Sequence, residues 1–255
     1  MLGPLKAGYV AFGTQFYEPG RLKQISAGAE QQLSAAGIEL VRSDPVFGES
    51  TEPDRAIREL KAGEWDFLIV NIINWIDTRG VFRVLREFRN EPIVLYSLGG
   101  FTDEHGTLIS PAAGAGSTSV RYALEQWGYR FKYLYNGPDS PMDVDGILKF
   151  GKAARVAKRL TKTRLGMIGF NDMGLYSTGF NVTRLRDRIG PEVESVDLLQ
   201  LERKMNALDP AEVQNEIKRI TAYNIIYIEC TTRQKIKLAA VFQLHVIIIY
   251  INSIV

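Results

Sequence analysis

Residues 67–73 read Phe-Leu-Ile-Val-Asn-Ile-Ile, an almost unbroken apolar run. A strand with one face in water would alternate apolar and polar side chains, so this one is expected to be buried on both faces. That requirement implies a parallel sheet covered by helices on each side, and the rest of the chain reads accordingly. Residues 8–12 form a first strand ending in Gly13-Thr14, followed by a helix carrying Leu22, Ile25, Ala29 and Leu33 at three- and four-residue spacing. Gly37 stops that helix before a second strand at 38–41. Thr51-Glu52-Pro53-Asp54 is a helix start, with Thr51 as cap and proline in the first turn. Val81, Val84, Leu85 and Phe88 mark the next helix, and residues 92–98 and 131–135 are the fourth and fifth strands. Between them, 99–116 reads as a long Gly/Ala/Ser-rich loop, with Ser117 or Thr118 capping a helix through Val120, Leu124 and Trp127.

A helix at 144–160 leads to Thr161-Lys162-Thr163-Arg164, and there the pattern begins again. Residues 165–170 are a strand, Val182, Leu185 and Ile189 mark a helix, and 192–199 are a second strand. Asp209-Pro210-Ala211-Glu212 is a capping box that opens a helix through Val213, Ile217 and Ile220. The expectation is an α/β protein of two doubly wound, flavodoxin- or Rossmann-like parallel-sheet domains. The first spans 1–162; the second, incomplete, spans 163–222, and 223–255 form an atypical tail.

Charge marks the same boundary at 222. The 255 residues carry 31 Lys+Arg against 29 Asp+Glu, net +2, and Arg233, Lys235 and Lys237 against Glu229 account for all of it. Isoleucine makes up 9 of the last 33 residues, which hold no Gly or Pro. The tail has three readings: two further strands at 223–229 and 246–251, a membrane segment at 238–255, or an abnormal end that replaced a native continuation. The near-neutral body lacks the concentrated basic face of a nucleic-acid protein. One cysteine, Cys230, excludes a disulfide framework, and two histidines, His105 and His245, leave little for a histidine-built zinc centre. Pro4 and Lys6 interrupt the N-terminal segment where an apolar leader would run, so a cytoplasmic protein without membrane attachment is expected.

In a doubly wound sheet ligands bind beyond the carboxyl ends of the strands. The loops there, 13–18, 74–80, 99–116, 136–141 and 171–180, gather Gly, Asn, Asp, aromatic and hydroxyl residues suited to a small polar ligand. Gly114-Ala115-Gly116-Ser117-Thr118 reads as a flexible loop with a helix cap, or as an anion cradle of backbone N–H groups. Asp103-Glu104-His105 reads as a solvated turn rather than a set of metal ligands. Asp143 and Asp145 serve a helix N-terminus, and Lys149, Lys152, Arg155, Lys158, Arg159 and Lys162 form a solvated helix face. Trp75 stands out: it follows a buried strand where the chain turns toward solvent, beside Asn74 and Asp77, and an aromatic there either packs against the neighbouring helix or stacks on the apolar face of a sugar ring. Asn171-Asp172-Met173-Gly174 holds the equivalent place in the second domain.

Three segments together resemble the L-fucose isomerase and L-arabinose isomerase superfamily: Val-Asn-Ile-Ile-Asn-Trp-Ile-Asp at 70–77, Gly-Met-Ile-Gly-Phe-Asn-Asp-Met-Gly-Leu at 166–175, and Val-Glu-Ser-Val-Asp-Leu-Leu-Gln-Leu-Glu-Arg-Lys-Met at 193–205. The resemblance covers residues 1–222 and implies a ketol-isomerase-like protein interconverting an aldose and a ketose. It further implies manganese or another divalent metal for the full-length family, a small sugar as ligand, and assembly as a trimer or hexamer. Candidate substrate-site residues are Trp75, with Asn74 beside it, and Met173 and Gly174; Asp172 stands where the family has serine. The family's metal-binding carboxylates and histidine match no position here, so the resemblance implies no catalytic residue and a chain inactive alone. Two rivals are a non-catalytic binding module for a sugar or other metabolite and a flavodoxin-like redox domain.

Overall fold

The computed structural model describes residues 3–14, 19–48, 51–168 and 179–222. The chain divides into two units, Met1–Val156 and Ala157–Val255. In the first, the elements run β1 Leu5–Phe12, α1 Pro19–Ala35, β2 Ile38–Arg42, α2 Glu52–Lys61, β3 Phe67–Ile72, α3 Thr78–Glu87, β4 Ile93–Leu98, β5 Phe101–Thr102, β6 Leu108–Ile109, α4 Ala113–Gln126, β7 Phe131–Asn136 and α5 Val144–Leu160. Five strands form one sheet in the order β2-β1-β3-β4-β7, every pairing parallel. This is the flavodoxin-like strand order.

Alternation along each strand assigns its side chains to two cores. Val10, Phe12, Leu68, Val70, Ile72, Ile93 and Leu95 face Leu60 of α2, Val84 and Leu85 of α3, and Val120 and Leu124 of α4. Leu5, Ala7, Tyr9, Phe67, Ile69, Val94 and Tyr96 face Leu22 and Leu33 of α1 and Ile147 of α5. All six residues of β3 are buried, as its composition demands. Each fully buried Val, Leu, Ile or Phe contributes about 1.5–3 kcal/mol, so the sheet is stabilised from both sides.

The second unit holds the parallel pair β8 Arg164–Ile168 and β9 Glu192–Val196, with α6 Val182–Arg188, α7 Leu198–Asn206 and α8 Pro210–Ala222. Asn181 caps α6 by accepting the Arg184 N–H (2.8 Å), and Asp209 Oδ1 accepts the Ala211 N–H at the start of α8 (2.9 Å). Leu201 and Val213 are buried, whereas Leu165, Val182, Ile189, Leu198 and Leu199 are exposed.

Several sequence expectations need correction. The 99–116 loop contains a short antiparallel hairpin, β5–β6, and α4 begins at Ala113 rather than at Ser117 or Thr118. Gly114 and Gly116 are helical because close packing, described below, outweighs their low helix propensity of about 1 kcal/mol. Ser117 is an interior helix residue whose hydroxyl bonds the Gly114 carbonyl (3.0 Å). Thr51 sits at the N-cap of α2 without a side-chain bond; Glu52 Oε2 instead accepts the Phe47 and Gly48 N–H groups (2.6 and 2.8 Å). The strand expected over 192–199 ends at Val196, because Asp197 accepts the Leu199 N–H (2.8 Å) and starts α7. Trp127 closes α4 half-exposed, edge-on to Phe82 with centroids 4.6 Å apart.

Arg155 leaves the solvated basic face. Its side chain is 12% exposed against a 19% exposed Asp66, and its Nε and Nη2 donate to Asp66 Oδ2 at 2.8 and 2.7 Å. Nη1 donates to the Gly3 carbonyl (2.8 Å) and Nη2 also to that of Pro4. The expected tail elements at 223–255 and the segment around Asn171, Asp172, Met173 and Gly174 lie outside the described residues.

Candidate functional site

The carboxyl ends of β1 and β3 meet where Phe12 and Ile72 are register partners. This is the topological switch point of the sheet, where open α/β folds place their ligands. Asn74 joins the two strand ends: its Oδ1 accepts the Thr14 N–H (2.8 Å) and its Nδ2 donates to the Thr14 carbonyl (3.2 Å). Asn74 is fully buried. A Cβ on Gly13 would lie 2.6 Å from Asn74 Oδ1, so glycine there lets the backbone approach this amide. Its visible work is to tie two loops together.

Trp75 follows, 50% exposed, with its backbone N–H donated to the Pro111 carbonyl (2.8 Å). Ile76 is buried beside it, and Asp77 caps α3 by accepting the Arg79 N–H (2.9 Å) while pairing with the Arg79 guanidinium. Trp75 is thus an exposed aromatic on a backbone fixed on both sides. A Cβ on Gly116 would meet the Asn74 carbonyl at 3.1 Å and Ile76 Cγ1 at 3.2 Å, which shows how closely the first turn of α4 sits on the end of β3.

Next to Pro111 lies a cavity of about 530 Å³. Tyr133 and Tyr135 of β7 line it together with Gly114 and Thr118 of α4, while Gly99 and Ser110 belong to the segments flanking the β5–β6 hairpin. The two tyrosine rings have centroids 6.5 Å apart. Tyr133 is fixed by a 2.9 Å bond between its hydroxyl and Ser117 Oγ, with the Arg121 guanidinium 5.4 Å above its ring. Ala112, at the N-cap of α4, has φ +59° and no side-chain cap. The 99–116 loop and the Gly114–Thr118 stretch already pointed to this edge in the sequence; the wall from β7 showed there only as the alternation of aromatics in 131–135.

The remaining titratable groups near these loops are engaged. Asp139 accepts from the Thr102 hydroxyl and from its N–H (2.8 Å), bonds that hold its carboxyl below the usual range and fasten the hairpin to the 137–140 turn. Asp103 accepts the His105 and Thr107 N–H groups (3.0 and 2.8 Å), so the Asp-Glu-His stretch is the exposed turn of the hairpin. Asp143 caps α5 through the Gly146 N–H (2.9 Å), and Asp145, its carboxyl lowered by a hydrogen bond from Lys149, pairs with that lysine at 2.6 Å. Among the described residues no group of three or more His, Cys, Asp or Glu side chains could hold a metal ion. No helix among them is long and apolar enough to cross a membrane.

The chain is thus an α/β protein of the doubly wound class, with an exposed tryptophan and a tyrosine-lined cavity at the carboxyl edge of its sheet, where open α/β folds place their ligands. No protein-family model matches the chain. The sulfoquinovose isomerases of Priestia aryabhattai and Priestia megaterium are each 20% identical to it over 160 residues, which are 63% of this chain and 35% of either relative. The match thus spans about a third of those proteins, and it supports a distant relationship to sugar isomerases.

Proposed function

We propose that this chain is a sugar ketol-isomerase-like protein of the L-fucose and L-arabinose type, whose first unit binds a sugar at the carboxyl edge of its sheet. The observation that carries the reading is Trp75. It is half-exposed at the end of a wholly buried strand, with Asn74 locked to Thr14 on one side and its own N–H held by Pro111. A pyranose presents one face of C–H bonds, and an exposed indole on a fixed stretch of backbone offers that face an apolar partner. The distant relationship to sulfoquinovose isomerases supports the same class of ligand. The reading includes a homo-oligomer, a trimer or hexamer, and manganese as the family's metal. Among the described residues no cluster of three or more His, Cys, Asp or Glu side chains would hold manganese, and their part in this reading is to bind and orient the sugar.

A second reading, a non-catalytic sugar-binding module, is favoured by the carboxylates beside the site. Asp77 is committed to Arg79 and Asp139 to Thr102, so neither is poised to shuttle a proton. Calorimetry of the full chain with L-fucose, L-arabinose and sulfoquinovose, with and without Mn²⁺, tests both. Sugar binding that strengthens with Mn²⁺ and weakens in Trp75→Ala supports the isomerase type. Binding indifferent to metal assigns the chain to the module, and no binding of any sugar overturns both readings.

A further inference from the structure

The cavity beside Trp75 has a lining chemistry that selects among ligands. We propose that it seats an uncharged polyhydroxy ring against Tyr135, a proposal that rests on the sugar reading above and locates the ring. No Lys, Arg, His, Asp or Glu side chain lines the cavity, so no charged side chain there pairs with an ionic group. Its hydroxyls are instead of mixed sense. Tyr135 is half-exposed and its O–H has no partner among the described residues; Ser110 Oγ accepts a long 3.4 Å bond from the Ala112 N–H and keeps its own proton to donate. Thr118 donates to the Gly114 carbonyl (2.7 Å) and keeps its lone pairs to accept. A sugar hydroxyl both donates and accepts, and so meets both senses of this set.

The shape is also specified. A Cβ on Gly114 would lie 3.1 Å from Tyr135 Cε2, and one on Gly99 would collide with the Tyr135 hydroxyl. Glycine at both positions lets this ring stand where it does, with space beside it for a ligand. Ser97 adds a second cue. It is the β4 register partner of Tyr135, two residues before Gly99, and its fully buried hydroxyl is without a hydrogen-bond partner. Such a group is uncommon enough in folded proteins to mark a polar requirement next to this wall.

The test is calorimetry of L-fucose, L-arabinose and the anionic comparator glucose 6-phosphate on wild type, Tyr135→Ala, Gly114→Ala and, as a control on the outer face of α4, Tyr122→Ala. Thermal unfolding accompanies each variant; Gly114→Ala replaces a helical glycine and is expected to stay folded. The expected result is a loss of about tenfold or more in neutral-sugar affinity for Tyr135→Ala and Gly114→Ala, with Tyr122→Ala unchanged and the phosphate ester not bound. Wild-type binding that survives both cavity variants overturns the location but leaves the sugar reading standing. A preference for glucose 6-phosphate overturns the uncharged class. Absence of any sugar binding by wild type overturns both the proposal and the reading beneath it.

Discussion

Removing the Arg155 guanidinium should destabilise the first unit by about 3 kcal/mol. Four hydrogen bonds depend on this one group: two to Asp66 Oδ2 and one each to the carbonyls of Gly3 and Pro4. Asp66 Oδ2 also accepts the Lys6 N–H (3.0 Å), so the carboxylate joins α5 to the start of β1. Hydrogen bonds to charged groups are worth about 1.5–3 kcal/mol each, but both side chains keep some contact with water, which screens part of that. Breaking a buried pair from one side costs about 3–5 kcal/mol, and partial exposure points to the lower end. Arg155→Met keeps the aliphatic stem and leaves Asp66 without its cation. At about 2–4 °C per kcal/mol for a chain of this size, its midpoint should fall by roughly 6–12 °C. Arg155→Lys keeps the charge and loses the fork, so it should fall between wild type and Arg155→Met. The double variant Asp66→Leu/Arg155→Met should recover much of the loss, since no charge is then stranded. Urea and thermal unfolding followed by circular dichroism give the free energies and midpoints of all four proteins. If Arg155→Met lies within about 0.5 kcal/mol of wild type, the range of ordinary surface substitutions, the pair is a solvated one and the argument fails.

Two further outcomes can be checked. Gly116→Ala should lower stability by about 1–3 kcal/mol despite better helix propensity, because its new methyl meets the Asn74 carbonyl and Ile76; a more stable variant in urea unfolding would contradict this. Burial raises the Tyr9 hydroxyl far above its ordinary value and pushes Tyr96 up to about 12. Both folded values exceed the unfolded one near 10, so the neutral forms support the fold fully below about pH 10 and that support is lost as pH rises above it. Urea midpoints at pH 8, 10 and 11 should decline in that order, less steeply in Tyr96→Phe.

Local periodicity carried the fold a long way. The unbroken run at 67–73 identified a strand covered on both faces, and β3 has no exposed residue. Helix α5, from Val144 to Leu160, occupies its expected bounds because Gly146, Ile147, Gly151 and Ala154 supply one small, apolar face. What escaped was set by tertiary contact. Gly114 and Gly116 read as a loop because their helical conformation depends on Tyr135, Asn74 and Ile76, residues remote in sequence. Arg155 read as a surface cation because Asp66, its partner, lies 89 positions away. At the site, Trp75 was visible as an aromatic misplaced at a strand end. The cavity was visible only in part: the 99–116 loop and the Gly114–Thr118 stretch stood among the ligand-facing segments, but the tyrosine wall opposite them forms only when the β4 and β7 ends are brought beside α4.

The order β2-β1-β3-β4-β7 also governs how this sheet can be built during synthesis. After β1 and β2 emerge, every later strand of the sheet docks on the same advancing edge, first β3, then β4, then β7. No strand has to be inserted between two that are already paired, so the ribosome can deliver the sheet in assembly order, N-terminal part first. The two ends of the unit are therefore unequal. Shortening it from the β7 side peels strands from the rim and leaves a smaller contiguous sheet. Losing β1 takes away the strand that both β2 and β3 lean on, and parts the sheet in two.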